Sequence, residues 1–258
     1  MSEFSAELGL AESIAREAGV LLRSYYESVS RSSISAKSSP TDLVSEADLA
    51  TEELIRGRLA AECPDDGMLG EEGSDVAGSS GRRWVVDPLD GTINFLFGLP
   101  QWCISIAVED ADGAIAGVVL DPMREECWTA TRDGAPCLNG SVVAPGSRTD
   151  LASSLLATGF GYDAAIRASQ AEIIARVLPR VRDIRRLGSA ALDLAWTAAG
   201  RYDAYFERGV KPWDVAAGAL ICSRAGLAVR SLDPIEPSES GILVAAPAVV
   251  DELFALLN

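Results

Sequence analysis

Apolar residues recur every three to four positions near the start of the chain, a spacing typical of a helix with one buried face. This pattern predicts a helix over residues 6–28, followed by a serine-rich loop. A second helix is predicted to begin near Ser45, because the spacing of Ser45 and Asp48 resembles an N-terminal capping pair.

Short apolar runs in the middle of the chain predict strands. Residues 84–86 are predicted to form a buried strand that stops at the Asp-Pro pair of residues 87–88. Residues 103–108 and 114–120 enclose an Asp-Gly pair, which predicts a hairpin. A further strand is predicted over residues 126–132.

The second half of the chain alternates between short apolar runs and longer amphipathic stretches. The predicted strands are residues 155–159, 181–186, 204–207 and 242–245, and the predicted helices are residues 164–178, 189–199, 213–225 and 247–257. Such alternation indicates α/β layering. We therefore predict an N-terminal α+β half over residues 1–145 and a C-terminal α/β half over residues 146–258.

The amino-acid composition limits the catalytic groups that are available. The 258 residues include no histidine, which excludes catalysis by a Ser-His-Asp or Cys-His system and by an imidazole base. Any general acid–base catalysis must therefore use carboxylates, hydroxyls, Lys, Cys or metal-activated water.

The net charge limits the binding partners that the protein can have, and the cysteines indicate its cellular compartment. The net charge of −16 argues against nucleic acid and anionic membranes as partners, and it suits hard divalent cations. The five cysteines are odd in number and form no C-x-x-C pair, so we expect reduced thiols in a cytoplasmic protein. The N-terminus is charged throughout and predicts neither a signal peptide nor a membrane span.

The most informative run is residues 84–95, WVVDPLDGTINF, where an apolar strand leads into two carboxylates. Asp87 and Asp90 stand close together and repel one another unless a cation lies between them. Gly91 permits a close backbone approach to a ligand, and Thr92 adds a hydroxyl. By itself this run is also compatible with a solvated turn.

Four segments together resemble the inositol monophosphatase family of Mg²⁺-dependent, Li⁺-sensitive phosphatases, over almost the whole chain. They are residues 37–48 (KSSPTDLVSEAD), 70–72 (GEE), 87–95 (DPLDGTINF) and 213–218 (WDVAAG). The resemblance implies a layered αβαβα sandwich of the inositol monophosphatase and fructose-1,6-bisphosphatase type. It places the site between the two halves.

The resemblance also implies a site for two to three Mg²⁺ ions. Glu71, Asp87 and the carbonyl of Leu89 would hold the first ion, and Asp87, Asp90 and Asp214 the second. A third, looser ion would rest on Glu71. Hard oxygen ligands of this kind suit Mg²⁺.

The implied reaction is direct attack of water on the phosphorus, without a phosphoenzyme. Thr92 and Asp48 resemble the pair that orients and deprotonates this water, and Glu71 is the third residue expected to act in catalysis. The residues expected to contact the substrate are Asp90, Gly91, Thr92, Gly188, Ser189, Ala190, Glu207 and Asp214.

Three positions bear on how closely the family pattern is followed. Lys37 matches a family lysine near the metals, whereas Lys211 stands where some members have histidine. Residues 223–227, SRAGL, depart from the usual Glu-Ala-Gly-Gly. The last two departures touch no expected metal ligand.

The resemblance implies a phosphatase of a small polyol phosphate monoester, with inositol monophosphate as the lead substrate. Histidinol phosphate, fructose 1,6-bisphosphate and 3′-phosphoadenosine 5′-phosphate are the rivals within the family. A regulatory or binding protein on the same fold is the alternative of a different class, which the intact ligand set disfavours. A homodimer is implied by resemblance alone.

Overall fold

The computed structural model describes residues 2–28 and 46–258. The predicted cap at Ser45 and the lysine Lys37 lie outside the described residues. The helices are α1 (Ser5–Ser28), α2 (Glu46–Glu62), α3 (Thr92–Leu96), α4 (Ala164–Val177), α5 (Ala190–Ala198), α6 (Pro212–Arg224) and α7 (Val250–Leu257).

The strands form two sheets. Those of the larger sheet are β1 (Gly67–Gly70), β2 (Asp75–Val76), β3 (Arg83–Asp90), β4 (Cys103–Asp110), β5 (Gly113–Asp121), β6 (Glu126–Thr131), β7 (Cys137–Leu138) and β8 (Ser141–Val142). Those of the smaller sheet are β9 (Leu155–Thr158), β10 (Asp183–Arg185), β11 (Ala204–Arg208), β12 (Ala228–Leu232) and β13 (Gly241–Ala245).

The larger sheet has the order β2-β1-β3-β4-β5-β6-β7-β8, and only the β1–β3 pair is parallel. The smaller sheet has the order β10-β9-β11-β13-β12. In it β9 runs parallel to both β10 and β11, and β13 is antiparallel to β11 and β12. The carboxyl ends of β3 and β11 both lead towards the cleft described below.

The elements stack in five layers. Helices α1 and α2 cover one face of the larger sheet, and α5 and α6 lie between the two sheets. Helices α4 and α7 cover the outer face of the smaller sheet. Each interface buries mainly aliphatic and aromatic side chains, so hydrophobic burial holds every layer to the next. The predicted αβαβα sandwich is confirmed.

Most predicted elements are present with ends that differ by a few residues. The prediction that the strand at residue 84 stops at residues 87–88 is wrong, because β3 continues to Asp90. Pro88 and Leu89 together stand opposite the single residue Ile104 of β4, which makes a bulge between Asp87 and Asp90. Proline lacks an N–H group, and a bulge is a place where a strand tolerates that loss.

The division at about residue 145 stays a prediction. It falls between β8 and β9, whereas α6 from the second half packs against β4 and β5 of the first. No helix within the described ranges has both the length and the apolar character needed to cross a membrane.

Candidate active site

A cavity of about 540 Å³ opens where the ends of β3 and β11 meet the start of α6. Four carboxylates, on Glu71, Asp87, Asp90 and Asp214, line one part of it. Glu207 lines another part. The acids that the sequence places far apart are therefore brought to a single cleft.

The bulged end of β3 presents the first two carboxylates. Asp87 is 1% exposed, and its Oδ1 accepts a hydrogen bond of 3.0 Å from the backbone N–H of Leu89. Gly91 follows with a φ of 99°, in the left-handed region that favours glycine. A Cβ at Gly91 would lie 2.8 Å from the carbonyl oxygen of Gln101, so the close packing of this turn also requires glycine.

Thr92 begins α3 and faces a buried acid on α2. Its Oγ1 lies 3.2 Å from Oδ2 of Asp48 and 3.0 Å from the carbonyl oxygen of Leu89. A hydroxyl has one proton, so it donates to one of these acceptors at a time. Burial, followed by the charges of Glu72 and Glu71, raises the pKa of Asp48 well above its usual range. The structure thus joins a hydroxyl at the cavity wall to a carboxyl of raised basicity behind it.

Asp90 is tied to the start of α5. The Ser189 hydroxyl donates a 2.6 Å hydrogen bond to Oδ2 of Asp90, and the backbone N–H of Ala191 donates another of 2.7 Å to the same atom. Ser189 is also the N-cap of α5, where its Oγ accepts from the N–H of Leu192. One buried hydroxyl therefore fixes both a helix end and a site carboxylate.

Asp214 lies in the first turn of α6, and its Oδ2 accepts a 2.6 Å hydrogen bond from the backbone N–H of Lys211. Glu71 follows β1 directly, and its backbone N–H donates to the carbonyl of Val86 at 3.2 Å. The ammonium group of Lys211 forms an ion pair of 2.5 Å with Glu239, another residue of the cavity wall.

Glu52 is a structural residue of the site that the sequence did not reveal. Its carboxylate accepts hydrogen bonds of 2.8 Å from the N–H of Glu72 and 3.0 Å from the N–H of Ser74. A Cβ on Gly70 would lie 2.4 Å from Glu52, so this glycine makes room for the acid. Glu52 follows Asp48 by one helical turn, and two acids on the buried face of a helix are the signal that was missed.

The cleft disfavours ionisation of all four of its carboxyl groups when no cation lies between them. Burial raises the pKa of Asp87, Asp90 and Asp214, and the neighbouring carboxylates raise the values for Asp87 and Asp214 further. Glu71 is exposed as a residue, yet desolvation of its carboxyl, followed by the charges of Asp90 and Glu72, raises its pKa to about 7. A divalent cation among these carboxyl groups would attract their negative charges and so favour the ionised form.

The donor set suits Mg²⁺, since it consists of carboxylate and carbonyl oxygens with no sulfur or nitrogen. Within residues 2–28 and 46–258, no three Asp, Glu or Cys side chains are gathered closely enough to form a ready ligand set. The residues fit the ion by the chemistry of their oxygens and by their shared cleft, while their side chains are not gathered into a coordinated set.

Glu207 marks the part of the cavity expected to hold the substrate. The Tyr205 hydroxyl donates a 2.7 Å hydrogen bond to its Oε2, and burial raises the pKa of Glu207 to about 7. A Cβ on Gly159 would lie 1.9 Å from Oε2 of Glu207, so only glycine leaves space for this carboxyl.

The structure brings most of the predicted site residues to one wall. Those that line the cavity are Glu71, Asp87, Leu89, Asp90, Gly91, Thr92, Gly188, Ala190, Glu207 and Asp214. Asp48 and Ser189 lie behind the wall and act on Thr92 and Asp90. Their assigned roles as ligands and substrate contacts stay predictions. Phe160, Tyr162 and Arg186 also line the cavity, although no pattern in the sequence pointed to them.

Comparison with known proteins agrees with this architecture. A sequence profile described as the inositol monophosphatase family matches residues 6–256. The inositol-1-monophosphatase SuhB of Mycobacterium tuberculosis is 43% identical, over 96% of this chain and 92% of its own. The Nus factor SuhB of Xylella fastidiosa is 42% identical, over 82% of this chain and 77% of its own.

A crystal structure of the extragenic suppressor protein suhB from Bartonella henselae superimposes with a TM-score of 0.89. That protein is 32% identical, and the match covers 98% of this chain and 99% of its own. These matches define the class as the phosphatase-type layered sandwich. The chain belongs to the inositol monophosphatase family.

Proposed function

We propose that this protein is a Mg²⁺-dependent phosphomonoesterase that hydrolyses a small polyol phosphate, with inositol monophosphate as the lead substrate. The observation that carries the proposal is the single cavity that joins four carboxylates and the Thr92 hydroxyl to Glu207. Family membership supports phosphatase chemistry. The net charge of −16 makes cations necessary, because the bare cleft would repel a phosphate.

Five residues would hold the ions in this proposal: Glu71, Asp87, the carbonyl of Leu89, Asp90 and Asp214. Bound Mg²⁺ would supply charge neutralisation for the phosphate and acidify water at neutral pH. Asp90 is pre-positioned for this role by its two hydrogen bonds from the start of α5. Asp214 is pre-positioned by the first turn of α6.

Thr92 and Asp48 would handle the proton. A water molecule hydrogen-bonded to Oγ1 of Thr92 gives its proton to that oxygen as the Thr92 proton moves to Asp48. The raised pKa of Asp48 favours this transfer, since a stronger base holds the proton more firmly. The water oxygen forms its bond to phosphorus as the bond to the leaving alkoxide breaks, and the alkoxide takes a proton from solvent to become the alcohol.

The remainder of the cavity would orient the polyol. Glu207 accepts hydrogen bonds from substrate hydroxyls in this proposal, and Gly188 and Ala190 leave space beside it. The backbone N–H groups of Gly91 and Thr92 are proposed to bind phosphate oxygens. Helix α3 has only five residues, so these donors act by direct contact and gain little from a helix dipole.

Phosphate release from a substrate panel tests the proposal. The panel contains inositol 1-phosphate, histidinol phosphate, fructose 1,6-bisphosphate and 3′-phosphoadenosine 5′-phosphate, each with Mg²⁺ and with EDTA. We expect fastest turnover of inositol 1-phosphate and loss of activity in EDTA. Preference for another member of the panel would reassign the substrate, and activity retained in EDTA would refute the metal requirement.

The variant Asp90→Asn tests the ligand assignment. Its side-chain oxygen still accepts from Ser189 and Ala191, so we expect an intact fold by circular dichroism. The loss of the charge should reduce kcat by at least roughly 100-fold, since even residues that only support ligands contribute 10- to 100-fold. Near-normal kcat in this variant would show that Asp90 holds no ion.

A second candidate function is suggested by the relative named Nus factor SuhB. We propose a non-catalytic role of that kind for this chain, through protein contacts, since the acidic charge opposes direct binding of RNA. A chromosomal Asp90→Asn allele separates the two functions. A deletion phenotype reproduced by this allele supports the enzyme, and a normal phenotype supports the second role.

A homodimer and a cytoplasmic location belong to the same proposal. Light scattering of the purified chain measures the mass in solution, and fractionation of cells locates the protein. A monomeric mass would remove the dimer from the proposal without affecting the proposed chemistry.

A further inference from the structure

The end of β11 carries two neighbouring charged residues whose side chains lie on opposite faces of the smaller sheet. Successive side chains of a strand alternate between its faces. Tyr205 packs on the side of α5, and Glu207 follows it on that side and lines the cavity. Phe206 packs on the side of α4 and α7, and the Arg208 side chain reaches the end of α7. The proposed chemistry uses Glu207 and gives Arg208 no role.

Arg208 is a buried cation that is held by neutral oxygens. The residue is 4% exposed. Its Nη1 donates to the carbonyl of Asp233, and its Nη2 donates to the carbonyl of Leu257 at 3.1 Å and to Oδ1 of Asn258 at 2.9 Å. The acceptors on Leu257 and Asn258 lie at the end of α7, where the last carbonyls lack intrahelical partners and the helix dipole favours a cation. The guanidinium therefore fastens β11 to α7, and we refer to these hydrogen bonds as the Arg208–α7 contact.

The end of β11 is paired with a strand on one side only. Strand β9 pairs with β11 at residues 204–206, whereas β13 pairs with β11 as far as Arg208. On the side of β9, the Gln170 side chain of α4 donates to the carbonyl of Arg208 at 3.4 Å, and it accepts a 2.9 Å hydrogen bond from the N–H of Gly161 in the cavity wall. Side-chain contacts thus replace a strand beside Glu207.

We infer that Arg208 is a positioning residue for Glu207: by fastening the end of β11 to α7, it sets the affinity of the cavity for the polyol part of the substrate. This inference rests on the proposed function, in which Glu207 accepts hydrogen bonds from substrate hydroxyls. A displacement of residue 208 would move the adjacent carboxylate, and hydrogen bonds weaken steeply when their geometry is poor. The acidic end is built on β3 and on α6, which packs separately against β5 and α5, so it should not follow this displacement.

The test compares inositol 1-phosphate, which reaches Glu207 in this proposal, with inorganic phosphate, which occupies the acidic end alone. The wild type, Arg208→Lys, Arg208→Met and Asn258→Ala are assayed with Mg²⁺ for kcat and KM of the ester and for inhibition by phosphate. Arg176→Gln is the matched control, because the exposed Arg176 donates to the carbonyl of Leu256 at 3.3 Å and so reaches the end of α7 from α4 instead of from β11. Amide hydrogen exchange of β11 is measured on all five proteins.

We expect Asn258→Ala to raise KM for inositol 1-phosphate by about 3- to 10-fold, which is the size of one hydrogen bond. Arg208→Met removes all the donors and should raise KM by more than about 10-fold. Arg208→Lys keeps the charge without the planar fork, so its KM should lie between those of the wild type and Arg208→Met.

The other readouts separate a positioning role from a general loss of structure. The kcat value and the inhibition by phosphate should change less than about 2-fold, because the acidic end is held by other contacts. Strand β11 should exchange faster in all variants of the Arg208–α7 contact, and Arg176→Gln should behave as the wild type.

An unchanged KM in both Asn258→Ala and Arg208→Lys would overturn the inference, and so would an equal loss of affinity for inorganic phosphate. Asn258 is exposed, so its variant tests the contact even if Arg208→Met does not fold. If the wild type hydrolyses no polyol phosphate, the proposed function fails instead, and hydrogen exchange decides the role of Arg208. Faster exchange of β11 in Asn258→Ala than in Arg176→Gln then supports the positioning role, and equal exchange refutes it.

Discussion

At the scale of single residues, Asp90 shows how the site is assembled from distant parts of the sequence. Its Oδ2 receives the Ser189 hydroxyl and the N–H of Ala191, while the Cys103 thiol lies 3.7 Å away. The family pattern placed Ser189 among the substrate contacts. The structure points its buried hydroxyl at Asp90, which indicates a positioning role.

Ser189→Ala should lower both the Mg²⁺ affinity of the site and the stability of the fold, and the two effects can be measured separately. Loss of the N-cap should lower the free energy of unfolding by about 1 kcal/mol. Loss of the hydrogen bond to Asp90 should weaken Mg²⁺ binding by roughly 10-fold, as for other residues that orient ligands. Denaturant unfolding and Mg²⁺ titration measure the two effects, with Ser189→Thr as the variant that keeps the hydroxyl. Unaltered Mg²⁺ affinity in Ser189→Ala would contradict the positioning role.

Glu207 should make stability depend on pH. Burial raises its pKa from 4.5 to about 7, so between these values the folded protein keeps a proton that the unfolded chain releases. This contribution to the free energy of unfolding is complete below pH 4.5 and is lost as the pH rises through about 7.

Glu207→Gln removes that titration. In EDTA, its loss of stability between pH 5 and pH 8 should be smaller than that of the wild type by roughly 1–3 kcal/mol. Urea unfolding at the two pH values gives the difference. Glu172→Gln, on the exposed face of α4, is the matched control and should follow the wild type. Parallel pH profiles for wild type and Glu207→Gln would show that burial does not raise this pKa.

At the scale of elements, α6 places Asp214 by packing closely on two neighbours. A Cβ on Gly117 of β5 would lie 2.9 Å from Cα of Ala217, and a Cβ on Gly218 would lie 2.6 Å from Leu194 of α5. Glycines at both contacts let the helix approach the sheet and α5. The position of the helix therefore fixes the position of its first-turn carboxylate.

Gly117→Ala should push α6 away from the sheet. We expect a loss of about 1–3 kcal/mol in the free energy of unfolding, as for other overpacked interiors. Mg²⁺ affinity should also fall at a temperature where the variant is fully folded, because Asp214 moves with the helix. Gly57→Ala on α2 meets nothing within 4 Å and should instead stabilise by about 0.5–1 kcal/mol. Normal Mg²⁺ affinity in folded Gly117→Ala would show that the seating of α6 does not control the site.

Periodicity predicted the long elements well and the irregular ones poorly. Helix α1 follows its apolar pattern because one of its faces is buried, and the β4–β5 hairpin follows its continuous apolar runs because both of its faces are buried. The end of β3 was mispredicted because Pro88 normally stops a strand, and only the pairing with β4 reveals the bulge. Strand β12 was missed because four of its five residues are partly or fully exposed at an edge of the smaller sheet.

At the scale of the whole molecule, charge dominates the expected response to ions. The chain carries a net charge of −16, and four acids meet in one cleft. Mg²⁺ at about 100 times its Kd should add roughly 2.7 kcal/mol to the free energy of unfolding. For a chain of this size, such a gain corresponds to a rise in Tm of about 5–10 °C.

Differential scanning calorimetry measures that rise in Mg²⁺ and in EDTA. NaCl at matched ionic strength is the control for general screening, and Asp90→Asn is the control for the site. The rise should be smaller in both controls. An equal rise in NaCl would show that Mg²⁺ acts on the surface charge rather than in the cleft.

Motifs located the chemistry of the site but not its support. Glu71, Asp87, Asp90 and Asp214, from three of the four segments, do line one cavity, whereas Glu52, Phe160 and Arg186 belong to no recognised segment. These residues gain their positions from packing between layers, which a linear pattern does not encode. Sequence therefore identified which groups meet, and the structure shows what holds them in place.

The shared cleft has a consequence for synthesis on the ribosome. Glu71, Asp87 and Asp90 emerge from the ribosome well before Glu207 and Asp214, which lie on β11 and α6. A nascent chain that has folded only its larger sheet would carry three acids of the cleft without the helix that completes it. The site is thus finished only after α6 has left the ribosome, so a product truncated before α6 would lack Asp214 and could not complete the cleft.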